Sequence, residues 1–198
     1  MIIVITHEDL ISHEIETINE MFREGLDLLH IRKPFINNQE MKSLINGIDQ
    51  TFHSKLVLHS HYEVGKLYAI SRFHVREADR INGLYRSKIE EGNIISTSVH
   101  QIKDYNMLGR EWQYSFISPV FPSISKKGYG QDTKIMKELT CRNNIHVKLI
   151  ALGGIDENNS KKVFQAGADG AALLGAIWNS STPVDAFKKC RDTVFSER

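Results

Sequence analysis

Cysteine is scarce. Only Cys141 and Cys190 occur in 198 residues, far apart and without CxxC spacing, which argues against a disulfide framework or a thiolate zinc site and fits a reducing cytoplasm. Charge of one sign is also lacking: 25 Lys and Arg face 24 Asp and Glu, a formal net charge of +1. No basic stripe offers itself to nucleic acid or an anionic membrane, so any anion binding has to be local. No apolar run approaches the ~20 residues that span a bilayer. The apolar opening Met1-Ile2-Ile3-Val4-Ile5-Thr6 lacks a basic flank and runs into His7-Glu8-Asp9, so it reads as a first strand rather than a signal peptide. Linkers and low-complexity segments are missing too. With 41% hydrophobic and 25% charged residues, the chain is expected to be one soluble globular domain over 1–198.

What is present is alternation. Short apolar runs suited to strands fall at 2–6, 26–31, 56–59, 70–75, 94–97, 114–118, 147–152 and 170–174. Between them lie segments with apolar residues three to four apart, such as 10–23, carrying Ile11, Ile15, Ile18 and Phe22, and 37–52, carrying Met41, Leu44, Ile45 and Ile48. Further helical segments are expected at 160–165 and 184–194, with Gly167 as a C-cap before the last strand. The 76–91 stretch is polar and poorly periodic. Eight strand–helix units of roughly 25 residues favour an α/β fold closed as a (β/α)8 TIM barrel, whose active sites lie at the C-terminal ends of the strands.

The residues at those ends are therefore the informative ones. They are Arg32 and Lys33; His59, Ser60 and His61; His74 and Asp79; Ser98 and His100; the 123–130 loop; Gly153-Gly154; and Gly175-Ala176. Gly153-Gly154 and Gly175-Ala176 follow strands seven and eight, where barrels hold phosphate on backbone N–H groups; tight turns are the plainer reading of the same glycines. Ser123, Ser125 and Lys126 suit a clamp for a more highly charged anion such as diphosphate, or a solvated loop. Arg32 could grip the same anion or make a surface ion pair. The histidines lack metal-ligand spacing, so structural roles compete with acid–base ones. Asp79 suits Mg2+ or the start of a helix.

In order along the chain, these pieces resemble the thiamin phosphate synthase family, which also contains the TenI-type thiazole tautomerases. Phe116-Ile117-Ser118-Pro119-Val120-Phe121-Pro122-Ser123-Ile124-Ser125-Lys126 is similar to the family's GPVFPTxTK segment, and Ala151-Leu152-Gly153-Gly154-Ile155 to its glycine loop. His30-Ile31-Arg32 is similar to QLR, and Ser98-Val99-His100 to SxH. The resemblance implies joining hydroxymethylpyrimidine diphosphate to thiazole phosphate with Mg2+ and release of diphosphate. It implies that Arg32, Ser98, Ser125 and Lys126 hold diphosphate and that Asp79 binds Mg2+. The Gly153-Gly154 and Gly175-Ala176 backbones would hold the thiazole phosphate, and His30, at the family's glutamine position, would help seat the pyrimidine; Ser123, in the diphosphate loop, and His59 are further candidate substrate-binding residues.

Departures accompany it. The family's Asn-Asp-Arg is His59-Ser60-His61 here, so one magnesium carboxylate is replaced by Ser60; its second lysine is Pro34, leaving Lys33 to reach instead; and its GQ is Arg76-Glu77. Loss of a metal aspartate favours a TenI-like tautomerase, an isomerase with His59, His61 or His74 as candidate base. The Ser118 at the tautomerase histidine position favours a synthase. A protein that only binds thiazole phosphate is the third alternative.

Overall fold

The computed structural model describes residues 1–124, 128 and 130–195. Eight parallel strands close in sequence order: β1 (Ile2–Ile5), β2 (Leu28–Ile31), β3 (Leu56–Leu58), β4 (Arg72–Val75), β5 (Ile94–Val99), β6 (Trp112–Ile117), β7 (Lys148–Leu152) and β8 (Gly170–Leu173), with β8 pairing back on β1. Around them run α1 (Glu14–Arg23), α2 (Asn38–Gly47), α3 (Tyr62–Leu67), α4 (Glu77–Ile81), α5 (Arg86–Glu90), α6 (Ile102–Asn106), α7 (Ile135–Glu138), α8 (Ser160–Gln165), α9 (Gly175–Trp178) and α10 (Pro183–Phe195).

All eight expected strands form, each within two or three residues of the expected bounds. The helices are shorter than the periodicity suggested. The 10–23 pattern yields a helix only from Glu14, and 37–52 divides into α2 and a 3-10 segment at Gln50–Lys55. The start of α2 has a local cause: Asn37 accepts from the Gln39 and Glu40 amides while the Glu40 carboxylate accepts from the Asn37 amide, a capping box that satisfies three otherwise orphaned donors. The poorly periodic 76–91 stretch becomes two single-turn helices, α4 and α5. Gly167, at φ +99°, turns the chain from α8 towards β8 in the backbone region that glycine tolerates best.

Successive side chains of a strand point to opposite faces, and here that divides the core in two. Outward residues such as Ile2, Val4, Leu29, Ile31 and Leu149 pack with Met21, Leu44 and Phe187 of the helices. Inward residues Ile3, Ile5, Leu28, Val57, Tyr114, Phe116, Ile150 and Ala172 fill the lumen.

Candidate functional site

The same alternation carries polar side chains inward in the upper half of the barrel. His30 lies two residues beyond Leu28, His59 two beyond Val57, and Ser98 two beyond Ser96. His74 from β4 joins them, and from β6 Tyr114 lies against His30 while Phe116 lies against both His30 and His74. His30 is fully buried; its Nδ1 lies 2.8 Å from His59 Nε2 and its Nε2 2.6 Å from the Tyr114 hydroxyl. His74 Nδ1 lies 2.9 Å from Ser96 Oγ and its Nε2 2.9 Å from Ser98 Oγ. The His59 and His74 rings stack with centroids 4.3 Å apart, and Phe116 lies against His74 at 5.0 Å.

Burial sets the protonation of this cluster, because a charged imidazole inside the barrel loses its hydration. Desolvation pushes His74 down to about 3, with Arg32 adding repulsion, and holds His30 and His59 well below the ordinary histidine value. Burial likewise raises the Tyr114 hydroxyl. At neutral pH all three rings are neutral, each with one N–H and one lone pair.

Over this floor opens a cavity of about 550 Å3, within the range of small-molecule sites. His59, His74, Phe116 and Leu152 form its base; Arg32, Arg76, Ser98 and His100 face it from β2, β4 and β5; and Glu8, Asp9 and Glu77 supply carboxylates. The Arg32 guanidinium is ion-paired with Glu8. The His100 ring donates from Nδ1 to the Ser118 carbonyl at 2.8 Å. Leu152 and Leu174 also border an adjoining hollow of about 380 Å3, lined by Ser118, Ser123, Gly153, Gly154 and Gly175. The two hollows, which share Leu152 and Leu174, form one cleft over the ends of all eight strands.

Of the residues singled out in the sequence, Arg32, His59, His74 and Ser98 meet in the larger lobe, and Ser123, Gly153, Gly154 and Gly175 in the smaller. Ala176, in the first turn of α9, does not line it. Ser125 and Lys126 lie outside the described residues. Gly153 and Gly154 have φ of +103° and +64°, and a Cβ on either would collide with Pro119 or with the Phe121–Pro122 backbone. Their lack of a side chain thus seats the β6 loop against the β7 loop at the edge of the cleft.

Four expectations are corrected. Lys33 does not reach the cavity: its side chain is fully buried, and its ammonium donates to both Glu14 carboxylate oxygens at 2.7 Å and to the Asp9 carbonyl at 2.6 Å. His30 lies beneath the cavity wall rather than on it, because the inward position below the strand end is covered by His59 and His74. Asp79 gives both carboxylate oxygens to Arg76, at 2.8 and 3.1 Å. One helical residue turns 100°, so Glu77, two positions earlier on α4, takes the cavity face instead. Candidate base His61 is also turned away, its Nε2 donating to the Ile36 carbonyl and its Nδ1 accepting from Ser60.

Sequence reasoning missed His7, Glu8 and Asp9 after β1, Asn179 beyond α9, and the lumen pair Ser96 and Tyr114. The strand-end rule that found Arg32 and Ser98 applies equally to the loop after β1. Counting back by two from Ser98 and Phe116 would have found Ser96 and Tyr114.

The family profile described as thiamine monophosphate synthase matches residues 2–177. The thiamine-phosphate synthase of Clostridium tetani is 23% identical over 181 residues, covering 89% of this chain and 85% of the relative; that of Syntrophomonas wolfei is 22% identical over 183 residues, covering 89% and 87%. Among solved structures, a thiamine phosphate pyrophosphorylase from Bacteroides thetaiotaomicron superposes with a TM-score of 0.78 at 24% identity over 100% of this chain and 98% of its own. One from Pyrococcus furiosus reaches 0.81 at 19% identity over 98% and 95%. A 3-hexulose-6-phosphate synthase shares the barrel at 0.69 and 18% identity. Since the profile spans nearly the whole barrel, from β1 to α9, the chain belongs to the thiamine monophosphate synthase family.

Proposed function

We propose that this protein is a cytoplasmic transferase that joins hydroxymethylpyrimidine diphosphate to thiazole phosphate and releases diphosphate. The observation that carries this reading is the two-lobed cleft, with Arg32, Arg76 and Ser98 in one lobe and the Gly153-Gly154 and Gly175 backbone in the other. A phosphorylated partner in each lobe would bring their reacting ends together near Leu152 and Leu174. In the reaction the pyrimidine methylene carbon loses its C–O bond, the electron pair leaving with diphosphate, and the thiazole nitrogen donates its lone pair to that carbon. No proton need be removed, so the protein's work is to hold charge and exclude water. Arg32 and Ser98, with Ser125 and Lys126, hold the departing diphosphate. Ser123 and the Gly153, Gly154 and Gly175 backbones hold the thiazole phosphate. The His59, His74 and Phe116 floor seats the pyrimidine.

The family resemblance implies Mg2+, which prefers carboxylate, phosphate and water oxygens. The donor set does not fit it in the family's way: Ser60 stands at one carboxylate position with its hydroxyl turned to His61, and Asp79 is neutralised by Arg76. We read this as an altered metal site, and no step above runs through magnesium.

The test is thiamin phosphate formation by purified protein given both substrates, with and without Mg2+, beside Lys126→Ala. Product that the variant sharply reduces supports the synthase; no product under either condition refutes it. Neutral His59 and His74 at the cavity floor favour a second reading, proton transfer on a thiazole carboxylate phosphate as in TenI-type tautomerases. That reading requires isomerisation without any pyrimidine substrate.

A further inference from the structure

The three imidazoles of the lumen have a geometry that seating a pyrimidine does not require. His30, His59 and His74 come from three adjacent strands, and one nitrogen of each lies within 4.8 Å of the others. Among the described residues this is the group of three or more His, Cys, Asp or Glu side chains whose donor atoms converge closely enough for one ion. We propose that it is a three-histidine site for a borderline divalent transition metal such as Zn2+, Co2+ or Fe2+, with a further coordination position open to the cavity.

Several features of the chain support this. All three donors are neutral imidazole nitrogens, the ligand type that selects such metals over Mg2+. Two of them, His30 Nδ1 and His59 Nε2, face each other at 2.8 Å and share one proton between two lone-pair directions. A cation in place of that proton requires that the ring carrying the hydrogen move it to its other nitrogen, and that the His74 ring, stacked on His59, turn to aim a nitrogen at the same point. Metal–nitrogen bonds of ~2.0–2.1 Å put tetrahedral ligands about 3.3 Å apart, so this pair opens slightly and His74 closes in by a side-chain rotation.

A metal-bound histidine commonly hydrogen-bonds through its other nitrogen to a fixed partner, and here the partners are already in place. His30 Nε2 is held by Tyr114 at 2.6 Å, and each His74 nitrogen has a serine hydroxyl at 2.9 Å, Ser96 on Nδ1 and Ser98 on Nε2, so that His74 gives up one of these contacts to the metal and keeps the other. The ligands approach from one side, since the apolar lumen residues Val57 and Leu28 lie below them. The remaining side is the cavity, where water or an anionic oxygen of a bound ligand completes the shell.

The site does not depend on which reaction the cleft performs, so its test is metal binding itself. Chelator-treated protein is titrated with Co2+, and the visible d–d absorption of a low-coordinate nitrogen site is followed. We expect one equivalent to bind with that absorption. His59→Gln and His74→Gln abolish it, Tyr114→Phe weakens affinity about 10- to 100-fold by freeing His30, and His146→Gln, on an exposed residue, leaves it unchanged. X-ray absorption of the Zn2+-loaded wild type, which does not depend on any variant folding, should show three imidazole ligands. Absence of the cobalt bands in wild-type protein, bands that survive both cavity-histidine substitutions, or fewer than three imidazoles around zinc would overturn the proposal and leave the cluster a hydrogen-bonded lining.

Discussion

The buried Lys33–Glu14 pair gives the sharpest test of how this fold disposes of a charge that the sequence seemed to offer to substrate. Lys33 has 0% and Glu14 2% of its side chain exposed, so neither is solvated by water if its partner is removed. Lys33→Met leaves a carboxylate facing apolar surroundings, a loss of about 3–5 kcal/mol. At about 2–4 °C per kcal/mol for a domain of this size, the melting temperature should fall by roughly 6–20 °C.

The loss should depend on pH. Burial already holds the Glu14 carboxyl above its usual value against the pull of Lys33, and removing the ammonium raises it further. A folded value above the unfolded 4.5 means that the native state keeps a proton the unfolded state has released. Wild type shares this loss up to its own raised value, so the deficit of the variant grows as pH rises through the wild-type folded value, which lies above 4.5, and levels off once the variant's still higher value is passed. The double variant Lys33→Met/Glu14→Leu should recover to within about 1–3 kcal/mol of wild type, the residue being the Asp9 carbonyl left without its donor. Urea unfolding across pH 4 to 8 reads all of this. A loss below about 1 kcal/mol in Lys33→Met, or a double variant as unstable as the sum of the singles, would refute the reading and return Lys33 to the list of anion ligands.

Three further outcomes follow from the geometry. Arg32→Ala and Ser98→Ala should each lower kcat/KM for the diphosphate substrate about 10- to 100-fold, the worth of a charge-assisted hydrogen bond, whereas Arg76→Ala, with a side chain 74% exposed, should cost less; equal losses would count against the assigned roles. Gly154→Ala should destabilise far more than Gly167→Ala, because both have positive φ but only Gly154 has Pro122 and Phe121 where the methyl would go, and thermal melts of the two compare strain with strain plus overlap. Metal-free protein should lose stability as pH falls below 6.5, since the unfolded chain takes up protons that native His74 refuses down to about 3; that one ring accounts for about 2 kcal/mol at pH 5, and a His74→Asn variant should show a flatter profile from pH 7 to 5.

The eight strands and the rim were legible in the sequence because both rest on short-range rules. Alternating apolar runs mark strands wherever they fall, and a closed parallel barrel sends every strand end to one side, so Arg32, His59, Ser98 and the glycine pairs could be placed by counting. What counting could not supply was the depth of a side chain in the lumen or its partner from another strand. Lys33 and Arg32 are neighbours in the chain, yet successive positions diverge. Arg32 turns to the cavity and Glu8, while Lys33 turns outward beneath α1, where Glu14 waits. Asp79 and Glu77 exchanged places because α4 starts at Glu77 and its turn decides which carboxylate looks inward. His30, His59 and His74 have no ligand spacing along the chain and meet only because β2, β3 and β4 are hydrogen-bonded neighbours. The sequence by itself determined the periodicities, and with them the barrel and the family. Tertiary closure decided which charges are consumed in pairs and which polar rings share a proton, because those depend on distances between residues that only the closed sheet brings together.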